Sequence, residues 1–308
     1  MKSSHHHQME KGSTLVAVLW IMAVMSLALV ATVKITTYQS EVAGSQINGI
    51  EARQYADMGL NLACNPRVQQ WDPILNQRFE NGAGFDVKIL SEGGRFNINF
   101  ILFAQDKALM RDILAEWGID FDARNEIVDA LIDWVDQDSN LETNGAEFEY
   151  YEGQGFLDRP FNRGFYDLDE MRLVRGMEIV EAANPNWKDW FTVWSSGPLD
   201  INEAPAQFIA VAVDGNIEEA NSLVSIIDGA DGLRNTEDDQ PFDVATALGQ
   251  LGVVDESGVI PARFIADDRV TRIESIGIVG SIRRKLVLII NNRQQNPTIL
   301  DRWEETIQ

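Results

Sequence analysis

An uncharged, mostly apolar run of 21 residues, Ser13 to Val33, follows Lys11-Gly12 directly and constrains the chain more than any other feature. At about 1.5 Å per residue such a run makes a helix roughly 30 Å long, the thickness of a bilayer's hydrocarbon core. It exceeds the apolar stretch of a secretory signal peptide, and its polar leader lies upstream. Lys2 and Lys11 precede the run, so residues 1–12 are expected to stay inside while the rest is exported; Lys34 votes the other way without reversing this. Hydropathy alone leaves an ordinary uncleaved anchor open.

The net charge of −23, from 48 acidic and 25 basic residues, argues against nucleic acid as a partner, because phosphates would be repelled. Divalent cations suit such a surface, as does the plainer reading that acidity keeps an exported protein soluble. Cys64 is the only cysteine, so no intrachain disulfide forms. His5, His6 and His7 all precede the apolar run, which leaves the exported part without a histidine base for serine or cysteine catalysis. So short a flexible tract also lacks the fixed geometry of a metal site.

Beyond Val33 the pattern stays helical to about Ala63, with one stripe of Ile35, Tyr38 and Val42 and another of Ile47, Tyr55, Met58 and Leu62. Gly44 and Gly49 separate the stripes, and Asn65-Pro66 supplies a stop. Phe85–Leu90, the turn Glu92-Gly93-Gly94 and Arg95–Phe100 read as a hairpin, and Val270–Ile278, Gly280 and Ile282–Asn291 as a second one. Between them residues 104–262 carry helical periodicity, with helices over Leu109, Ile113 and Leu114 up to Gly118 and over Ile127, Leu131, Ile132 and Val135 from near Asp122. The segment Asp200-Ile201-Asn202-Glu203-Ala204-Pro205-Ala206 predicts a capping turn before a helix near Pro205, as in helix-hairpin-helix proteins. With this charge, packing is favoured over phosphate binding.

Two acidic constellations could carry chemistry. Asp133, Asp136 and Asp138 recur where a helix enters a loop, and Glu147 and Glu149 follow. Hard oxygen ligands converging from a helix end and its loop suit calcium, which accepts six to eight oxygens in flexible geometry. Asp136, Asp138 and Glu147 are the leading ligand candidates, Asp133 and Glu149 the further ones; a solvated acidic helix end is the alternative. The second constellation, Asp228, Asp231, Asp238 and Asp239, has glycines for sharp turns, yet Leu233 occupies the place where an EF-hand needs glycine. Calcium and an unliganded acidic turn remain open there. Paired acids could also serve a glycosidase, and Trp187, Trp190 and Trp194 a carbohydrate platform, but acid pairs arise by chance among so many and tryptophans more often pack a core or interface.

Lys11-Gly12-Ser13-Thr14-Leu15 followed by apolar residues resembles the class III signal of type IV pilins and type II secretion pseudopilins. The resemblance implies cleavage by a prepilin peptidase between Gly12 and Ser13 and methylation of the new N-terminus. Most members carry Glu at the fifth mature position, which here is Ala17. That loss, the inserted helical segment and the acidic loop together resemble the K-type minor pseudopilin, whose matching loop is a calcium site, although Phe148 interrupts its acidic triplet here. A lone carboxylate in lipid is costly without a partner, so a subunit with nothing stacked above it has no use for one.

The implied fold is α+β: a long N-terminal transmembrane helix packed on a small antiparallel sheet, with a large inserted mainly α-helical domain. The implied organisation is a cleaved leader (1–12), a transmembrane helix (13–33), helix continuation and first hairpin (34–103), the inserted domain (104–262) and a C-terminal hairpin and tail (263–308). The implied role is structural, not enzymatic: capping the pseudopilus tip with minor pseudopilins of the I, J and H types, from a single anchor in the inner membrane with the folded part in the periplasm. A minor type IV pilin or a single-pass periplasmic enzyme is the rival reading.

Overall fold

The computed structural model describes residues 8–305, with side chains from residue 14 onward. The leader histidines, and the surroundings of Gly12 and Ser13 at the expected cleavage point, lie outside what is described. One helix, α1 (Gln8–Ala63), runs without interruption past Gly44 and Gly49. It is long and apolar enough to cross a membrane, and no part of its most apolar window is buried against the rest of the chain. The hydroxyls of Ser26, Thr32, Thr36 and Thr37 donate to carbonyls one turn back, so the few polar groups of this stretch are satisfied within the helix.

Only the last part of α1 meets protein, and it does so through small residues. Ala52, Ala56, Leu60 and Ala63 are buried, whereas Ile47 and Met58 of the expected second stripe are largely exposed. Close approach explains the difference. A Cβ on Gly277 would lie 1.7 Å from the Ala52 carbonyl oxygen, and one on Gly59 would lie 2.4 Å from Ser275 Oγ. The helix therefore nearly touches the sheet backbone, and large side chains on this face would hold it off.

The sheet contains β1 (Asn76–Arg78), β2 (Gly84–Ser91), then, from the far end of the chain, three more strands in the spatial order that follows. Between β2 and those strands the chain leaves the sheet through a 3₁₀ turn at Glu92–Gly94 and forms β3 (Phe96–Asn97), α2 (Ile98–Phe103), α3 (Lys107–Glu116), α4 (Phe121–Val135), α5 (Phe148–Gly153) and α6 (Met177–Ala183). There follow β4 (Phe191–Thr192), β5 (Leu199–Asp200), α7 (Ala206–Val213), α8 (Ile217–Ile227), α9 (Val244–Gln250), α10 (Val259–Ala262) and β6 (Phe264–Ile265). The chain then returns as β7 (Val270–Val279), β8 (Ile282–Asn291) and β9 (Thr298–Glu305), giving the antiparallel order β1-β2-β7-β8-β9.

The β7–β8 hairpin matches the sequence expectation, with Val279 opposite Ile282 around Gly280 at φ 60°. The first expected hairpin is corrected. The partner of β2 is β7, with Gly84 opposite Ile278, and not residues 95–100. Asn97 instead caps α2, its Oδ1 accepting from Phe100 N, and Ile98, Ile101 and Leu102 bury one helical face. The tail adds an unexpected fifth strand, β9, on the edge.

Two main cores result. The α1-facing side of the sheet buries Val87, Ile89, Ile273, Leu286, Leu288 and Ile290 against Ala56 and Leu60. The helical insertion has its own larger core, in which Met110, Ile113 and Leu114 of α3 join Ile127, Leu131 and Trp134 of α4. Trp187 and Trp190 belong to this interior, so they pack and do not form an exposed platform. The turn before α7 is likewise a packing element: Asn202 Nδ2 donates to the carbonyls of Phe242 and Ala266.

Candidate metal centre

Helix α4 begins at Asp120, whose Oδ1 accepts from Asp122 N and Ala123 N, and ends at Asp136, which turns extended. Asp129 and Asp133 stand one turn apart on its buried face. Both carboxylates are spent on the loop that follows. Asp133 Oδ1 accepts from Glu142 N at 3.1 Å and its Oδ2 from Ala146 N at 2.8 Å. Asp129 Oδ2 accepts from both the backbone and side-chain nitrogens of Asn144 at 3.1 Å, and its Oδ1 accepts from Lys107 Nζ at 2.9 Å. Gly145 is required at the closest point, since a Cβ there would fall 1.9 Å from Asp133 Oδ2.

This folded loop brings Glu147 against the end of α4. Glu147 is 3% exposed, and its Oε1 is buried with no hydrogen-bond partner. Asp136 Oδ1 is also buried and unpartnered. Burial, then the neighbouring Asp133, Asp136 and Asp138 charges, push the Glu147 carboxyl up to about 7. Burial and then Asp138 and Asp133 push Asp136 up to about 6. Asp133 is raised as well, chiefly by burial, against the pull of its two backbone donors. For Asp129 burial is outweighed by Lys107 and Asn144, which hold it below the usual carboxylate range. Buried acids with raised pKa values and unused oxygens are short of a cation.

Asp138 lies nearby on the exposed arm of the loop, with Oδ1 accepting from Asn140 N at 2.7 Å. Glu149 is exposed on the first turn of α5. Among the described residues no group of three or more His, Cys, Asp or Glu side chains is arranged to hold a metal ion. The donor chemistry fits calcium in kind, since two orphaned carboxylate oxygens and a third acid at the rim are hard ligands. Sequence reasoning named Asp136, Asp138 and Glu147 as candidates and passed over Asp129 and Lys107, which the structure sets beside them. The available signal was the pair of acids four apart on α4 amid Val128, Ala130, Leu131 and Ile132, a face otherwise built for burial.

The second constellation is satisfied internally. Asp238 Oδ2 accepts from Ala230 N and Asp231 N, and its Oδ1 from Thr236 Oγ1. Asp231 Oδ1 accepts from Leu233 N, and Asp239 Oδ2 from Asn235 N. Asp228 pairs with Arg234 Nε, while Arg234 Nη1 also donates to the Asn202 carbonyl. The Thr236 hydroxyl and then these backbone donors hold Asp238 below its ordinary range.

Residues 94–185, which contain the whole first acidic loop, match the family described as "Type II secretion system (T2SS), protein K". The type II secretion system protein K of Aeromonas hydrophila is 29% identical over 199 residues, 59% of this chain and 57% of that protein. Its counterpart from Pseudomonas aeruginosa is 25% identical over 173 residues, 54% of this chain and 51% of that protein. Over these regions the chain is similar to type II secretion protein K. It spans about half the length of these curated relatives in the matched regions. A solved protein from "The Crystal Structure of the GspK-GspI-GspJ complex from enterotoxigenic Escherichia coli Type 2 Secretion System" shares the α+β fold. The TM-score is 0.60 at 16% identity, over 88% of this chain and 99% of that one. The second acidic loop lies outside the segment matched to the family.

Proposed function

We propose that this chain is a minor pseudopilin that caps the tip of the type II secretion pseudopilus, helps initiate its assembly, and so supports export of folded proteins across the outer membrane. The observation that carries this reading is α1: residues 14–43 are exposed and 14–33 of them carry no charge, Ala17 stands among them without the usual carboxylate, and among the described residues only the far end of the helix packs on the globular part. A subunit so built can enter a helix bundle in the membrane while offering no charge partner to a subunit stacked above it. Its helical insertion adds bulk where a further subunit would sit. Companion minor pseudopilins of the I, J and H types fit this role, and the neighbour's complex with GspI and GspJ supports the first two.

In this reading the prepilin peptidase cuts after Gly12, Ser13 becomes the methylated N-terminus, and the folded part stands in the periplasm. Calcium binds through Asp136, Asp138 and Glu147, supplying the positive charge that the two orphaned oxygens lack. Mass spectrometry of the membrane-extracted protein should show loss of 12 residues and gain of one methyl group. Co-purification should recover companion pseudopilins in a small complex. Long homopolymers, or labelling of this subunit along the whole shaft, would overturn the tip assignment, and an intact leader would overturn the processing.

A further inference from the structure

We infer that Lys107, acting through Asp129 and together with Asp133, is a positioning residue that holds the 136–147 loop in its metal-ready shape, so that calcium enters a prebuilt site. The inference rests on the calcium reading above and assigns these residues a part outside the ligand set. Lys107 Nζ stands 2.9 Å from both Asp129 Oδ1 and Glu142 Oε2, tying α3 to α4 and to the loop at once. Only 5% of the Asp129 side chain is exposed, so its bond to the ammonium is made in a poorly solvated place where it is hard to replace with water.

The two arms of the loop differ in how they are fastened. The returning arm is held through Glu142 N and Ala146 N on Asp133, through Asn144 on Asp129, and through the Gly145 carbonyl on Arg175 Nη1 at 3.0 Å. The outgoing arm carries the turn closed by Asp138 on Asn140 N. Glu147 follows the fastened arm, and the clamp therefore delivers its carboxylate to Asp136. Left to themselves those two acids repel, and a loosely held loop would relax by parting them. The ammonium of Lys107 opposes that relaxation from outside the ligand shell. Asp133, with both oxygens accepting from backbone N–H groups, is occupied in the same task.

Calcium titration of the detergent-solubilised full chain tests this, with calcium chloride as the probe. Lys107→Met should weaken calcium binding by roughly 10- to 100-fold, the range found when the groups that orient metal ligands are removed. Lys107→Gln keeps a donor to Asp129 without the charge, and it serves as the second variant should Lys107→Met not fold; its loss should be smaller but measurable. Lys107→Met with Asp129→Asn should be no worse than either alone, as expected of one unit. In the calcium-free state, limited proteolysis between residues 137 and 146 should be faster in Lys107→Met than in the parent. A lower thermal midpoint with an unchanged calcium Kd would mark Lys107 as merely structural and overturn the inference while leaving the calcium site standing. No calcium binding by the parent chain would overturn both.

Discussion

The two acidic loops of this chain differ less in charge than in what their carboxylates are already doing. In the 228–239 loop, Asp228, Asp231, Asp238 and Asp239 all accept from donors within the chain, with Arg234 reaching across to close the ring. In the 136–147 loop, Asp129 and Asp133 take the available backbone donors, and Asp136 and Glu147 are each left with a buried oxygen unpartnered. Acid count is therefore a poor guide to a cation site. What distinguishes a site is acid left over after the local N–H groups and cations have been assigned, in a place that water cannot freely repair.

The sharpest way to break this comparison is to ask which loop answers to calcium. Calcium that binds only the folded chain at 100 times its Kd should stabilise it by about 2.7 kcal/mol. Asp136→Ala with Glu147→Ala should abolish that gain in thermal unfolding, and Asp231→Ala with Asp238→Ala should leave it intact. The reverse result would move the site to the second loop.

Proton linkage separates the loops next. Glu147, at about 7, and Asp136, at about 6, are raised above their ordinary values, so between about pH 4 and 7 the folded chain holds protons that the unfolded chain has released. Without calcium, stability should therefore fall as pH rises through that window and level off above it. Glu203, raised to about 7 by burial and then by Asp200, adds a decline of the same sign that calcium does not touch. The diagnostic quantity is thus the gap between unfolding curves with calcium and with chelator, which should widen from pH 4 to pH 7. Parallel curves would show that the raised acids of the first loop do not meet the metal. Asp238 runs the other way: its pKa is lowered, so its contribution is present above the ordinary carboxylate range and is lost as pH falls.

Much of this was legible in the sequence where local signals suffice. The Ser13–Val33 run, the α3 and α4 periodicities and the Val287–Ile290 centre of β8 each carry their own pattern. The first hairpin failed because alternation around Arg95–Phe100 competes with the helical spacing of Ile98, Ile101 and Leu102, and short apolar runs satisfy both. The pairing of β2 with β7 is chosen by which faces can be buried against α1, information that lies at opposite ends of the chain. Strand β9 was hidden by Asp301, Arg302, Glu304 and Glu305, the kind of charge that protects a sheet edge. At the site, offsets in the sequence located the acids, but only the packing of α3 on α4 shows that Lys107 stands beside Asp129. The packing also separates Asp133, both of whose oxygens accept backbone bonds, from Asp136 and Glu147, each of which keeps one buried oxygen unpartnered.

The smallest expected effect falls on the second loop and tests its self-sufficiency. Arg234→Met removes the Nε bond to Asp228 and the Nη1 bond to the Asn202 carbonyl, both half-buried, at a cost on the order of 1 kcal/mol. If the loop is a ring closed by its own donors, chelator and calcium should give the same loss relative to the parent chain, because the arginine's place is filled by nothing else. If calcium restores the lost stability, Asp228 has found a replacement cation, and the 228–239 loop is a metal site whose arginine had been standing in for the ion. Thermal unfolding of Arg234→Met in the Asp136→Ala, Glu147→Ala background decides between these, since any remaining calcium response there belongs to the second loop alone.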